Sequence, residues 1–132
     1  MIIGRRQTEK RDKGYKVRGD VFVLLKSNGI NLVGSMREIS LNGLSFHYIG
    51  KEKLLNKEGE LAICSGGEDF FLYRVPCTIL FDSKAYKNHP SPISMRRCGV
   101  EFGELDHKRM TQIEYFIQNH TDNEEKSLNP NG

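Results

Sequence analysis

The sequence predicts an all-β domain, a small antiparallel barrel of about six strands with one C-terminal α-helix packed against it. Three observations carry this. Apolar and polar residues alternate over short stretches, the period of a half-buried strand. Turn signals built from Gly, Asn and Ser separate those stretches. The period changes to 3.6 once, near the C-terminus. No βαβ alternation occurs, which disfavours a parallel nucleotide-binding sheet. The 132 residues suit one domain with one core.

From Tyr15 to Lys26, YKVRGDVFVLLK sets Val17, Val21, Val23 and Leu25 on one parity, which predicts a strand. Ser27-Asn28-Gly29 supplies a turn, with Gly free to take positive φ. Asn31 to Ser40 is a second strand. It ends at Leu41-Asn42-Gly43, after which Leu44, Phe46 and Tyr48 alternate with Ser45 and His47, so the pair reads as a hairpin. The lysine-rich stretch from Lys51 to Glu60 has room for a short helical turn. Leu61 to Cys64 is a short strand, and Ser65-Gly66-Gly67 turns the chain. A longer strand from Asp69 to Phe81 sets Phe71, Tyr73, Val75, Cys77, Ile79 and Phe81 on one parity, with Pro76 marking an edge or a bulge. Asn88 to Pro92 is a loop by composition. Met95 to Phe102 is the last strand, with Cys98, Val100 and Phe102 facing the core. From Asp106, an available N-cap, to His120 the residues Met110, Ile113, Phe116 and Ile117 form one apolar helical stripe. The expected organisation is a basic flexible arm over 1–14, the barrel and helix over 15–120, and a disordered polar tail over 121–132.

Composition narrows function. Hydrophobic residues are 37% and charged residues 28% of the chain, a globular mixture, and no apolar run approaches the roughly 20 residues of a membrane span. The N-terminus turns charged after three apolar residues, the reverse of a secretory signal, so the expected location is cytoplasmic. Cys64, Cys77 and Cys98 are widely spaced in apolar-patterned segments and read as buried, reduced thiols. His47, His89, His107 and His120 have no metal-ligand spacing, and no nucleophile elbow or phosphate-cradling glycine loop is present, so neither an enzyme nor a resident cofactor is expected. The net charge is only +3, but residues 1–18 hold Arg5, Arg6, Lys10, Arg11, Lys13, Lys16 and Arg18 against two acids. Such an arm suits a phosphate-bearing partner and equally suits a solvated tail.

One constellation links these features. The turn between the second and third predicted strands reads Glu38-Ile39-Ser40-Leu41-Asn42-Gly43, the basic arm lies one strand upstream, and MRRCGVEFGEL leads into the helix. In order and spacing this resembles the PilZ domains, which pair an RxxxR arm with a (D/N)xSxxG turn on a small barrel. The resemblance covers roughly residues 5 to 120. Taken alone, Asn42-Gly43 is also a favoured hairpin turn, and Ser40 can bond nearby backbone.

The resemblance implies a receptor for cyclic di-GMP. Arm cations Arg5, Arg6, Lys10 and Arg11 would meet phosphates and the guanine O6 and N7 acceptors, Glu38 would receive guanine N–H groups, and Ser40, Asn42 and Gly43 would lie against the ligand. Two departures stand out. Glu38 replaces Asp or Asn, one methylene longer, and no two arginines of the arm are four apart, since Arg6 pairs with Lys10 and Gln7 with Arg11. Lysine neutralises phosphate but cannot present a planar fork to guanine. Arg96 and Arg97 could add charge, although neighbours on a strand point to opposite faces and at most one would face a given site. The implied partners are cyclic di-GMP and a protein effector of motility, secretion or exopolysaccharide production in biofilm formation, reached through ordering of the arm. A PilZ-like interaction module without nucleotide remains open. Single-stranded nucleic acid is a weaker alternative, because Phe46, Phe71, Phe81, Phe102 and Phe116 fall on parities that core packing accounts for.

Overall fold

The computed structural model describes residues 14–51, 57–67, 70–86 and 94–122. Arm residues Arg5, Arg6, Lys10 and Arg11, the loop expected over 88–92 and the tail beyond Asp122 lie outside the described residues. Among the described residues seven strands and one helix follow in order: β1 (Tyr15–Lys16), β2 (Val21–Ser27), β3 (Ile30–Ile39), β4 (Gly43–Gly50), β5 (Glu58–Ser65), β6 (Phe71–Lys84), β7 (Ser94–Phe102) and α1 (His107–His120). Every strand pairing is antiparallel. The order β3-β2-β5-β6-β7-β4 returns to β3, so six strands close a barrel, and β1 lies on the edge of β3 beside Glu38 and Ile39. Closure removes the unpaired edges that an open sheet exposes. The expected all-β barrel with a C-terminal helix is the observed fold.

The strand expected from Tyr15 to Lys26 is two strands, because Gly19 takes φ +80 and turns the chain between β1 and β2. Asn28 and Gly29, at φ 50 and 83, make the two-residue turn that joins β2 to β3 and pairs Ser27 with Ile30. Positive φ at both central residues matches the twist of the flanking strands.

The largest departure from simple alternation lies in β6, where two bulges each slip the pattern by one residue. At the first, Leu61 pairs with Val75 and Ile63 with Leu72, so Tyr73 and Arg74 together oppose Ala62, with Arg74 at φ 54. At the second, Ile79 pairs with Val100 and Phe81 with Gly99, leaving Leu80 as the extra residue. The buried set is therefore Leu72, Val75, Cys77, Ile79 and Asp82. Phe71 and Phe81, expected in the core, are 49% and 41% exposed. Pro76 itself pairs regularly with Glu60 and accepts a backbone bond from Gly103 N at 2.7 Å.

Val23, Leu25, Phe46, Val75 and Cys98 fill the barrel centre. One end of the interior holds a polar triad. Arg96 Nε donates to Asp82 Oδ1 at 2.8 Å, a second guanidinium nitrogen donates to the Asp82 carbonyl at 3.2 Å, and the Tyr48 hydroxyl donates to Asp82 Oδ2. All three residues are buried. Of the neighbours Arg96 and Arg97, Arg96 is the one that turns inward. It shares the inward parity of Cys98 and Val100, and the second bulge turns Asp82 inward to meet it.

The helix closes the end at which β6 begins and β3 leads into β4. Asp106 caps it, accepting from Arg109 N at 2.8 Å, and Arg109 Nε donates to the Tyr73 carbonyl at 3.2 Å, fastening the helix to the first bulge. Ile113, Phe116 and Ile117 are buried, whereas Met110 lies half exposed. Beyond the helix, Thr121 bridges Val17, and Asp122 N donates to the Lys16 carbonyl at 2.8 Å.

The thiols differ among themselves. Burial, then the Glu60 charge, pushes Cys77 up to about 11, and burial, then the Asp82 and Cys77 charges, pushes Cys98 up to about 12. Cys64 is only half-buried. Because the thiolate is the nucleophile, iodoacetamide at pH 8 is expected to alkylate Cys64 well before the other two, read by peptide mass spectrometry over time. Equal rates at all three would contradict the burial order.

Candidate ligand site

The β3–β4 turn is a self-bonded unit. Ser40 N donates to the Gly43 carbonyl at 2.8 Å, while Ser40 Oγ accepts from Asn42 N at 3.1 Å and Gly43 N at 3.2 Å. Phe102 N donates to the Asn42 carbonyl at 2.7 Å, which ties the turn to β7. Ser40 therefore has a structural task in the turn, whatever else it contacts. The same holds for Gly43, where a Cβ would stand 2.2 Å from the Val100 carbonyl oxygen. The glycine is required by the close approach of β4 to β7, so its replacement would disturb the barrel and cannot serve as a clean test of ligand contact.

Beside this turn the outer wall carries an open groove of about 500 Å3. Four sequence-predicted residues, Glu38, Ser40, Asn42 and Gly43, line it together. Its far wall and floor come from residues that the motif does not contain: Ser45, Leu80, Phe81, Arg97, Gly99 and Glu101. The register explains the shape. Glu38, Ser45, Gly99 and Phe81 lie in one cross-strand row over β3, β4, β7 and β6. Small residues at the centre of the row make the floor, and larger ones at its ends make the walls.

Gly99 has a specific role in that row. A Cβ there would lie 2.2 Å from the Phe81 ring, so the missing side chain lets Phe81 lie on the strand. The Arg97 guanidinium carbon stands 5.5 Å from the Phe81 ring centroid, within cation–π range. Of the two neighbouring arginines, Arg97 faces the groove and Arg96 the interior. Two side chains on the floor and rim are incompletely partnered among the described residues. Ser45 is buried, and its Oγ has no hydrogen-bond partner. Arg97 forms no salt bridge.

The groove also reaches the start of the described chain. Gly14 lines it, and the Glu38 side chain approaches so closely that a Cβ on Gly14 would sit 2.8 Å from Glu38 Oε1. Sequence pattern identified the turn side of the groove but missed Phe81, Ser45 and the choice of Arg97. The signals were the Leu80-Phe81 run, which a bulge places outside, and the strand glycine in CGVEF, a mark of close approach. Among the described residues no cluster of His, Cys, Asp or Glu could hold a metal ion, and no helix is long and apolar enough to cross a membrane.

No family model and no curated protein matches this sequence. Among solved structures, the chain is similar to the PilZ domain with c-di-GMP of YcgR from Escherichia coli, at a TM-score of 0.64 and 12% identity over 92% of this chain and 96% of that one. At that identity the likeness is one of fold, and the closed six-stranded barrel with its C-terminal helix is PilZ-like.

Proposed function

We propose that this protein is a receptor for cyclic di-GMP that binds the dinucleotide in the groove between the β3–β4 turn and Phe81. The observation that carries the reading is the composition of that groove. An arginine stacked on an aromatic ring faces a carboxylate across a floor of small residues, on a barrel whose fold matches that of a domain solved with this ligand. A guanine base offers O6 and N7 to an arginine fork and N–H donors to a carboxylate, and its face stacks on aromatic or guanidinium planes. Arg97 and Glu38 supply those partners from opposite walls. Arg97 also answers the broken arginine spacing of the arm, since it offers the planar fork that Lys10 cannot.

The arm enters the same reading through covalent reach. Arg11 precedes Gly14 by three residues, and three residues span at most about 10 Å. Its charge can therefore be presented to a phosphate in the groove. In this reading the arm orders on the ligand and displays a changed surface to a protein partner.

Calorimetric titration with cyclic di-GMP at moderate salt tests the reading, with GTP and a short single-stranded oligonucleotide as controls. The oligonucleotide matters because Phe71 and Tyr73 stack on the outer wall, centroids 5.8 Å apart, as a small nucleic-acid binder would present its rings. The expected result is saturable binding of the cyclic dinucleotide alone, weakened about tenfold to a hundredfold by Arg97→Ala, the loss of a charge-assisted bond. Amide exchange over residues 1–14 is expected to slow at saturation. No binding in a folded sample would sink the receptor, and unchanged exchange in the arm would sink the relay.

A further inference from the structure

One same-face step beyond Ser45, the outer wall gathers three nitrogen-bearing side chains. His47 on β4 pairs directly with Arg97 on β7 and with Ser35 on β3. Beside Ser35, the register shifts between Met36 and Glu38, so that Arg37 is the extra residue of a bulge and stands exposed on the same wall. From the β6 side the Tyr86 ring meets His47 edge-on, centroids 6.5 Å apart, and Ser83 pairs with Arg97. The groove's acids lie further along. Glu38 pairs with Ser45, one step from His47, and Glu101 pairs with Gly43, two steps away.

This row is electrostatically unfinished. Neither Arg37 nor Arg97 forms a salt bridge among the described residues. Burial first, then the charges of Arg37 and Arg97, holds the His47 imidazole below its ordinary value. Next to the row, Ser45 Oγ is buried with a hydrogen to donate and no partner to receive it. A buried polar atom left unpaired costs about 1 to 3 kcal/mol. Two guanidinium groups without an acid, an imidazole whose charging is disfavoured by burial and by their charges, and an unsatisfied hydroxyl have one need in common, an anion with several acceptor oxygens.

We propose that Ser45, His47 and Arg97, with Arg37 beside them, form a subsite for a phosphate group, and that His47 takes up a proton from solvent when the phosphate docks. The inference rests on the cyclic di-GMP reading in bringing a phosphodiester to this groove; it adds Ser45, His47 and Arg37 to that site, with Arg97 shared between the guanine edge and the phosphate through its five N–H donors. A docked anion offsets the repulsion from the two arginines and part of the cost of charging a half-buried ring, which shifts the imidazole toward its protonated form. By linkage, a ligand that binds the protonated protein more tightly gains affinity as pH falls. Phosphodiester charge is constant over this range, so the change reports on the protein.

The test follows the His47 ring by NMR from pH 5 to 8, alone, with sulfate as a tetrahedral anion of constant charge, and with cyclic di-GMP, at matched ionic strength. Either anion is expected to raise the His47 midpoint by about one unit. Affinity for cyclic di-GMP is expected to rise several-fold from pH 7.5 to 5.5, and the rise is expected to vanish in His47→Gln. Ser45→Ala is expected to weaken binding several-fold without lowering the melting temperature, since the lost hydroxyl has no partner in the fold. A midpoint that moves with sulfate in wild type and not in Arg97→Gln supports the subsite even if cyclic di-GMP does not bind, which overturns only the receptor reading. Binding of cyclic di-GMP with no change at His47, or with the same pH dependence in His47→Gln, overturns the subsite and leaves the receptor standing.

Discussion

Asp82→Ala is expected to lower stability by about 3 to 5 kcal/mol, because it removes one partner of a buried ion pair and leaves the other charged inside the barrel. Arg96 loses its carboxylate, and the Tyr48 hydroxyl loses its acceptor in the same substitution. Both are buried, the Arg96 side chain 7% exposed and Tyr48 6%. Urea unfolding followed by circular dichroism measures the change, read as a shifted midpoint at unchanged slope. The informative comparison is Asp82→Leu combined with Arg96→Met. Replacing both charges with apolar groups of similar volume removes the desolvation cost together with the attraction, so the double variant should lose far less than Asp82→Ala. A single variant within 1 kcal/mol of wild type would show that Arg96 escapes to solvent when its partner is gone.

Alkaline pH probes the same triad from its third member. Burial first, then the bond to Asp82 and its charge, lifts the Tyr48 phenol above its ordinary value of 10.0. A group whose folded pKa lies above its unfolded one stabilises the fold fully below the unfolded value. That contribution is lost as pH rises above about 10. The triad therefore resists the pH range in which the receptor would work and yields only in strong base.

What the sequence made legible follows from where local rules and tertiary rules agree. The strands β4 and β7 alternate without interruption, so the inward faces of Leu44, Phe46 and Tyr48, and of Cys98, Val100 and Phe102, could be read directly. The helix was equally plain, because Asp106 is a side-chain cap and Ile113, Phe116 and Ile117 recur at helical spacing. The strand β6 was not. Its bulges are set by what β5 and β7 present to it, and each one reverses the meaning of every later position. That reversal moved Phe81 from an assumed core position to the groove wall and turned Asp82, just past the expected end of the strand, into the interior. The site was divided in the same way. Glu38 to Gly43 is contiguous and could be found as a motif, whereas Ser45, Phe81 and Arg97 become neighbours only through strand pairing, which no spacing along the chain encodes.

Phe116→Ala is expected to cost about 3 to 5 kcal/mol, comparable with the loss of Asp82 but by a different cause. Phe116 is 1% exposed and packs its ring against Phe70 at 4.9 Å and His120 at 4.8 Å between centroids. Truncation removes the central apolar anchor of the helix and leaves a cavity that the barrel rim cannot close, because hydrogen bonds at both ends hold the helix in place. At its N-terminal end Arg109 is bonded to the Tyr73 carbonyl, and at its C-terminal end Arg18 N donates to the His120 carbonyl at 2.8 Å. Thermal unfolding should show a fall of roughly 10 to 20 °C. The consequence reaches the groove, since the helix closes the barrel end from which the β3–β4 turn projects, and that turn is bonded to Phe102 beneath it. Loss of the helix anchor should therefore speed amide exchange at Asn42 and Gly43 as well as within the helix. Faster exchange confined to residues 107–120 would mean that the helix is a passive lid, and that the ligand site is held by the barrel strands alone.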